Sequence, residues 1–331
     1  MKKSLLALAA LTAFAGVASA QSSVTLYGRV DLSVAKNPGS DAKGIQNGSG
    51  SRFGVRGVED LGGGMAALFQ IETRFDADTG AAQNFNACGL RPGGAQAAPC
   101  TNNRFWGARS IVGMRGGFGQ VVLGREYTTA FLGTQLIADP WGWDTVAANN
   151  FITGLGGIAK VRNDSSLTYN FSAQGFSVAA QIAEATDTIN QFDSKPFNFN
   201  VGYRGGPIVV AFGYEKTGRD AGNGDEKMWS AFGSYNFGMA RVGLYYGRGD
   251  ALNGATHKGW MIPVVAPIGA GELRASFGNL KANSTKVSDQ FSLGYHYNMS
   301  KRTTLYADMV RDGKRYASSK TGYDVGIKHN F

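Results

Sequence analysis

The chain has few of the residues that most often carry chemistry, and it has no long apolar segment beyond residue 20. It contains 331 residues but only 2 cysteines and 3 histidines, which are His257, His296 and His329. No histidine belongs to a nucleophile motif such as Gly-x-Ser-x-Gly, and none is close in sequence to a cysteine. We therefore expect neither an enzyme nor a metal site. The lack of 18 consecutive apolar residues also excludes transmembrane helices.

The glycine-rich stretches of the chain have no nucleotide-binding signature. Asp60–Gly64 and Gly116–Gly119 lack the Lys-Ser/Thr pair of a phosphate-binding loop, and hairpin turns explain them. The basic residues are spread along the chain rather than gathered in one patch, although the net charge is +9. We expect no cofactor and no nucleic-acid partner.

The first twenty residues have the three parts of a secretory signal peptide. Lys2 and Lys3 precede the apolar run Leu5–Ala18, and the small residues Ala18-Ser19-Ala20 follow it. A transmembrane anchor is the alternative, but this run is too short to cross about 30 Å of hydrocarbon as a helix. The sequence predicts cleavage after Ala20 and a single mature domain from Gln21 to Phe331.

The two cysteines, Cys88 and Cys100, lie in a segment of small residues and turn formers. In the oxidising compartment to which an exported chain travels, a disulfide between them would close a short loop. Two free thiols on the same loop are the alternative.

The C-terminal residues alternate in character with a period of two. Tyr323, Val325 and Ile327 share one parity, while Asp324 and Lys328 share the other, and an aromatic residue, Phe331, ends the chain. This period predicts a strand with one apolar and one polar face. Sixteen segments show such a pattern: Val24–Lys36, Ser51–Glu59, Met65–Asp76, Phe105–Arg115, Gln120–Tyr127, Val161–Phe171, Phe176–Thr186, Phe197–Arg204, Ile208–Lys216, Met228–Phe237, Arg241–Gly249, Lys258–Ala266, Glu272–Lys281, Gln290–Asn298, Thr303–Arg311 and Gly322–Phe331.

The connections between these segments fall into two length classes. Short ones such as Gly205–Pro207 alternate with longer ones such as Ala77–Asn102 and Thr128–Lys160. Tight turns on one rim and long loops on the other are typical of transmembrane antiparallel β-barrels. The composition agrees, since 48 glycines and 20 phenylalanines accompany a slightly negative mean hydropathy of −0.18. We predict an all-β membrane barrel of about sixteen strands, with a secreted β-sandwich or β-helix as the alternative.

A barrel of this size implies a pore, because sixteen strands enclose more space than wall side chains can fill. The longest loop, Thr128–Lys160, contains apolar residues such as Phe131, Trp141 and Phe151. A long loop of this composition is not expected to stay in solvent. We expect it to fold into the lumen and narrow the pore; an external lid or a subunit contact is the alternative.

Five motifs in order resemble the Gram-negative general porins of the beta-proteobacterial type. They are Leu26-Tyr27-Gly28, the stretch from Ser51 to Gly64, the stretch from Gly117 to Glu126, the stretch from Arg162 to Tyr169, and Val325–Phe331. The resemblance covers the whole mature chain. It implies a water-filled, sixteen-stranded homotrimer in the outer membrane, with an infolded third loop and often anion preference.

The same resemblance implies a set of partners. These would be lipopolysaccharide and outer-membrane lipids, small hydrophilic solutes and anions, and the barrel-assembly machinery, which would read the C-terminal strand through Phe331. In such porins the second external loop usually reaches a neighbouring subunit. Here that loop is Ala77–Asn102, in which Gly and Ala are frequent.

Five arginines on consecutive strands are candidates for the pore constriction. Arg52 and Arg56 share one parity of the second strand, Arg109 and Arg125 follow on the fourth and fifth, and Arg162 begins the sixth. The alternation predicts that they point inward, and the resembling family has matching arginines near its constriction. A narrow tube lined by permanent positive charge concentrates anions and repels cations. Structural salt bridges or contacts with lipid headgroups are the alternative roles.

Acidic residues could face these arginines. Asp139 and Asp144 lie in the long loop, and Glu72 and Arg74 are further charges of the third strand. The function predicted is passive diffusion of small hydrophilic solutes and ions, with anion preference. A channel with a saturable site for small organic anions is the alternative, and surface adhesion or an outer-membrane enzyme is a distant one.

Overall fold

The computed structural model describes residues 22–83, 104–184, 195–217 and 226–331. The predicted signal peptide and the pair Cys88 and Cys100 lie outside these ranges, so cleavage and the disulfide stay predictions. Within them, sixteen antiparallel strands form a closed barrel, as predicted. The strands are β1 (Ser23–Lys36), β2 (Arg52–Gly62), β3 (Met65–Asp76), β4 (Arg109–Gly116), β5 (Gly119–Tyr127), β6 (Arg162–Ala173), β7 (Phe176–Ala183), β8 (Phe197–Gly205), β9 (Ile208–Lys216), β10 (Lys227–Asn236), β11 (Arg241–Asp250), β12 (Thr256–Ile268), β13 (Gly271–Ala282), β14 (Thr285–Asn298), β15 (Thr303–Asp312) and β16 (Thr321–Asn330).

Two short strands accompany the barrel. Lys43–Asn47 pairs with the end of β1, and Ala81–Ala82 pairs with the end of β3. Both extend a hairpin beyond the wall and add no strand to its circumference.

The barrel closes between its first and last strands. β1 pairs with β2 on one side and with β16 on the other, in a register that sets Arg29 opposite Asn330. The last residue takes part: Phe331 and Gly28 exchange two backbone hydrogen bonds of 3.0 and 3.1 Å. The phenylalanine ring occupies the space that a side chain at position 28 would need, so glycine is required there.

The two faces of the wall differ in polarity in the sense opposite to that of a soluble protein. In β15, the apolar side chains Leu305 and Met309 are exposed, whereas Asp308 and Asp312 are buried. The same alternation recurs around the barrel, so the outer face is apolar and the inner face is polar. An apolar outer band and a polar interior are what a membrane barrel requires.

Tight turns join the strands at one rim. The turn between β6 and β7 is Gln174-Gly175, in which both residues have positive φ (51° and 85°), as a two-residue hairpin of the primed type needs. On the other rim, β13 and β14 are longer than predicted and meet in a turn at Asn283, whose φ is 52°. The sequence missed this turn because asparagine, without glycine, supplies the left-handed residue.

The long connection between β5 and β6 lies against the inner wall. It contains short helical segments at Phe131–Gln135, Leu136–Ala138, Asn150–Thr153 and Leu155–Gly157. Its apolar side chains form one cluster with inward-facing side chains of β10 to β13. The cluster consists of Ala138, Ile152, Leu155 and Ile158 from the loop and Met228, Phe232, Tyr245, Met261 and Leu280 from the wall. Among the described residues, none of the helices is long and apolar enough to cross a membrane.

Candidate functional site

The long loop is shaped by the carboxylate of Asp139. Its oxygens accept hydrogen bonds from the backbone N–H groups of Trp141, Trp143 and Asn149 at 2.9–3.2 Å, and from the side-chain amide of Asn149 at 3.0 Å. A buried carboxylate with four donors organises the turn around it. Asp139 was predicted as a constriction charge, but its oxygens are engaged within the loop.

Polar bonds fix the same loop to the wall over a wide arc of the barrel. They run from Trp141 Nε1 to Asp308 Oδ1 (2.8 Å), from Gln290 Nε2 to the Ala148 carbonyl (2.9 Å), from Ser276 Oγ to Asn149 Oδ1 (2.9 Å) and from Tyr245 OH to the Thr153 carbonyl (2.6 Å). The wall residues come from β11, β13, β14 and β15 and all lie on the inner parity. The loop is therefore held inside the barrel by both apolar contacts and hydrogen bonds.

A cavity of about 840 Å³ remains between the loop and the uncovered wall. Among the described residues, its lining includes seven arginines and one lysine but only two carboxylates, Asp139 and Asp144. The cationic residues come from eight different strands: Arg29, Arg52, Arg74, Arg162, Arg204, Arg241, Arg274 and Lys328. The cavity is strongly cationic because the two carboxylates offset few of these charges.

Two of the five predicted arginines line this cavity. The Arg52 guanidinium donates to the Ser49 carbonyl at 3.1 Å and lies 3.8 Å from a Glu72 oxygen. The Arg162 guanidinium lies 4.1 Å from the centroid of the Tyr127 ring and donates to the hydroxyl of Tyr127 at 2.5 Å. Both are thus held in fixed positions at the cavity wall.

Arg109 and Arg125, also predicted at the constriction, are not part of the cavity lining. Arg109 pairs with Glu126 on β5, and Arg125 pairs with Asp164 at 2.5 Å at the start of β6. The register of β5 against β6 shifts between Gly124 and Glu126, so simple alternation does not give the direction of the Arg125 side chain. Neighbouring carboxylates hold both guanidinium groups, which the sequence could not show.

Arg56 and Glu72, the other two wall residues predicted at the constriction, also lie outside the cavity lining. Arg56 is exposed on the inner parity of β2, with its guanidinium 5.2 Å from the Tyr27 ring centroid, and it is not part of the cavity lining. Glu72 is buried behind Arg52 and accepts a hydrogen bond from the Tyr27 hydroxyl at 3.0 Å. Glu72 therefore positions Arg52 rather than facing the cavity.

Several lining residues were absent from the predicted set. They are Arg29, Arg204, Arg241, Arg274 and Lys328, whereas Arg74 was predicted as an additional wall charge. The sequence could have indicated part of this set, because each of these residues lies on the inward-facing parity of its strand, as Lys328 does in β16. Parity does not give height along the barrel axis, and height decides which inward residues reach the cavity.

Asp144 is the loop carboxylate that faces the basic wall. It lies 3.6 Å from an Arg29 nitrogen, on a turn in which Trp143 and Thr145 have positive φ (65° and 68°). Non-glycine residues in this conformation are held there by their surroundings. Burial raises the pKa of Asp144 to about 6, although the charges of Arg74, Arg52 and Arg29 act to lower it.

A closed barrel with an apolar outer face and a charged inner cavity defines a membrane channel protein. The family model of the Gram-negative porins matches residues 7–315, so the chain belongs to this family and lies in the outer membrane. Its relatives are channels and not enzymes, as predicted.

The relatives and solved structures match the chain over nearly its whole length. Outer membrane porin protein 32 of Delftia acidovorans is 33% identical, and an outer membrane porin protein of Bordetella pertussis is 28% identical, each over 100% of both chains. Among solved structures, an anion-selective porin from Comamonas acidovorans is 26% identical, with a TM-score of 0.77 over 94% of this chain and 100% of the other.

Proposed function

We propose that this porin is an anion-selective channel through which small hydrophilic solutes and ions diffuse passively. The observation that carries the proposal is the charge of the cavity, whose described lining residues include eight cationic side chains and two carboxylates. The solved structure of an anion-selective relative supports it. Passive outer-membrane transport follows from the family, and anion preference follows from the charge.

The selectivity arises in the cavity that the loop leaves inside the barrel. Arg29, Arg52, Arg74 and Arg162 approach the cavity from β1, β2, β3 and β6, and Asp144 faces them from the loop. Guanidinium groups stay charged at every working pH, and walls of low dielectric strengthen their field. An anion gains attraction on entering, whereas a cation is repelled by most of the lining.

The remaining proposals concern assembly. The exposed apolar side chains of β1, such as Val24 and Leu26, would contact neighbouring subunits of a homotrimer or membrane lipid. Phe331, which closes β16 onto β1, would be the residue that the barrel-assembly machinery reads. Lipopolysaccharide phosphates would bind basic groups at the external rim.

The experiment that tests the proposal is the zero-current potential of the purified protein in a planar lipid bilayer under a potassium chloride gradient. We expect stable stepwise channels and a potential of the sign produced by chloride permeation. Replacing Arg52 by Glu should shift this potential towards the cation sign. A potential of cation sign from the unmodified protein would overturn the proposal.

A matched control uses an arginine outside the cavity. Arg125→Gln removes one of the two arginines that pair with Asp164 and leaves Arg104 paired with this carboxylate, so it should leave the potential unchanged. Equal shifts from Arg52→Gln and Arg125→Gln, which remove one charge each, would mean that the net charge of the barrel, and not the cavity, sets the preference.

A further inference from the structure

The hydroxyl group of Tyr127 lies between two guanidinium groups at the cavity wall. It accepts a hydrogen bond from Arg162 at 2.5 Å and another from Arg74 at 3.3 Å. A phenolic oxygen has two lone pairs and one hydrogen. Both lone pairs are therefore in use, and the hydrogen remains to be donated.

The phenolic hydrogen of Tyr127 has no acceptor among the described residues. Two guanidinium groups and one O–H donor thus meet at a single place in the lining of the cavity. This set of donors fits an oxyanion, because a carboxylate can accept from the hydroxyl and from a guanidinium at once. Chloride would be attracted by the positive charge of the two guanidinium groups, but a spherical ion lacks the two directed acceptor oxygens of a carboxylate.

A row of aromatic rings leads away from this donor set. The Tyr127 ring is nearly parallel to the Phe131 ring, with 5.7 Å between centroids and an angle of 14°. Phe131 in turn meets Trp143 edge to face at 4.8 Å. All three residues line the cavity, and Leu136 and Pro140 of the loop extend the apolar surface. Small inorganic anions need no such surface.

We propose that the cavity contains a saturable site for monocyclic aromatic carboxylates. The carboxylate lies against Arg74, Arg162 and the Tyr127 hydroxyl, and the ring lies against Trp143, beside the edge of the largely buried Phe131. This inference rests on the proposed function, since it names a class of solute that the anion channel binds during passage. A flat ring gains from stacked or edge-to-face contacts that an aliphatic chain of equal charge does not make.

The test measures chloride conductance in a planar bilayer while benzoate, cyclohexanecarboxylate or acetate is titrated in at constant ionic strength. We expect benzoate to reduce the chloride current along a saturating curve. Acetate has no ring, and the ring of cyclohexanecarboxylate is not flat, so both should give half-reduction only at concentrations at least several-fold higher. Identical curves for the three anions, or a linear response to benzoate, would overturn the inference.

Two variants separate the donor set from the aromatic row. Tyr127→Phe keeps the ring but removes the hydroxyl, and it should weaken benzoate and acetate alike. Trp143→Leu removes a ring and should weaken benzoate while leaving acetate unchanged. Tyr214→Phe is the matched control, because Tyr214 packs against Phe199 on the outer face of the barrel. An equal loss in Tyr214→Phe would contradict the assigned site.

The zero-current potential and the benzoate titration test the anion channel and the aromatic site separately. The zero-current potential is measured in potassium chloride before any organic anion is added. An anion-sign potential with no saturation by benzoate would refute the aromatic site and leave the anion channel standing. A cation-sign potential would refute the anion channel itself.

Discussion

The loop divides the inner wall of the barrel into two parts that differ in what they present. From β10 to β13 the wall is covered, and Met228, Tyr245 and Met261 pack against apolar loop side chains. From β1 to β3 the wall is uncovered, and Arg29 and Arg52 face the cavity. The same two-residue alternation builds both parts. What differs is the chemistry at inward positions, which selects the side on which the loop rests.

In the covered part of the wall, the loop backbone also approaches the strands closely. A side chain at Gly259 of β12 would come within 2.9 Å of the Ile152 carbonyl and 3.1 Å of the Leu155 side chain. Glycine at this position therefore lets the loop backbone lie directly on the wall. An apolar surface with room for backbone holds the loop, whereas the arginines of β1 to β3 face the cavity that the loop leaves.

The largest effect should come from removing the loop that lies on the covered part of the wall. Replacing the loop segment from residue 132 to residue 157 by a short glycine-serine linker exposes the apolar wall and opens the lumen. We expect single-channel conductance to rise several-fold and anion preference to fall, because ions then pass farther from the arginines. Unchanged conductance in a folded variant that resists heat as the parent does would show that the loop does not limit the current.

The uncovered part of the wall should lose anion preference when one positive charge is removed. Arg74→Gln removes a cation from the cavity, and one unit charge at 4 Å in water is worth about 1 kcal/mol, or about fivefold in relative permeability before screening by salt. We expect the ratio of chloride to potassium permeability to fall by up to that factor. The measurement is the zero-current potential at low salt.

Arg109→Gln offers the contrasting variant within the wall. Arg109 is paired with Glu126, so its loss leaves a buried carboxylate without its partner. We expect a lower unfolding midpoint and little change in permeability ratio. If Arg109→Gln altered selectivity as much as Arg74→Gln, the distinction between paired and cavity-facing arginines would be wrong.

The packing of the covered part can be weakened by one side chain. Leu155 is fully buried in the cluster between loop and wall, and truncating such a leucine to alanine costs about 2–5 kcal/mol. We expect Leu155→Ala to raise current noise, because the loop is held less firmly, and to lower the refolding yield. Leu305→Ala on the outer face is the control and should leave the noise unchanged.

The smallest effect should be a pH dependence at the boundary between the two parts. With its pKa raised to about 6 by burial, Asp144 is mostly charged at pH 7 and mostly protonated at pH 5. Lowering the pH therefore removes a negative charge beside Arg29, and anion preference should increase. Asp144→Asn should show the higher preference already at pH 7 and a flatter response to pH. A pH response that persists in this variant would place the titrating group elsewhere.

Alternation and turn signals were sufficient to predict the barrel and its sixteen strands. They failed at Asn283, where a left-handed asparagine makes a turn without glycine. For the site they predict which residues point inward but not which of these residues reach the cavity. Arg52 and Arg162 reach the cavity, whereas Arg109 and Arg125 turn to carboxylates on or beside adjacent strands. Pairing across strands depends on register, and a pattern within one strand carries no register.

The sequence by itself predicted a membrane barrel, since it contains strands with a period of two that are joined alternately by tight turns and long loops. It also determined that the interior is polar and that the longest loop is too apolar to remain in solvent. Only the tertiary structure decided where that loop rests and which arginines, Arg29 and Arg74 among them, stay open to the cavity. The physical reason is that availability of a charge depends on neighbours brought together from strands distant in the chain.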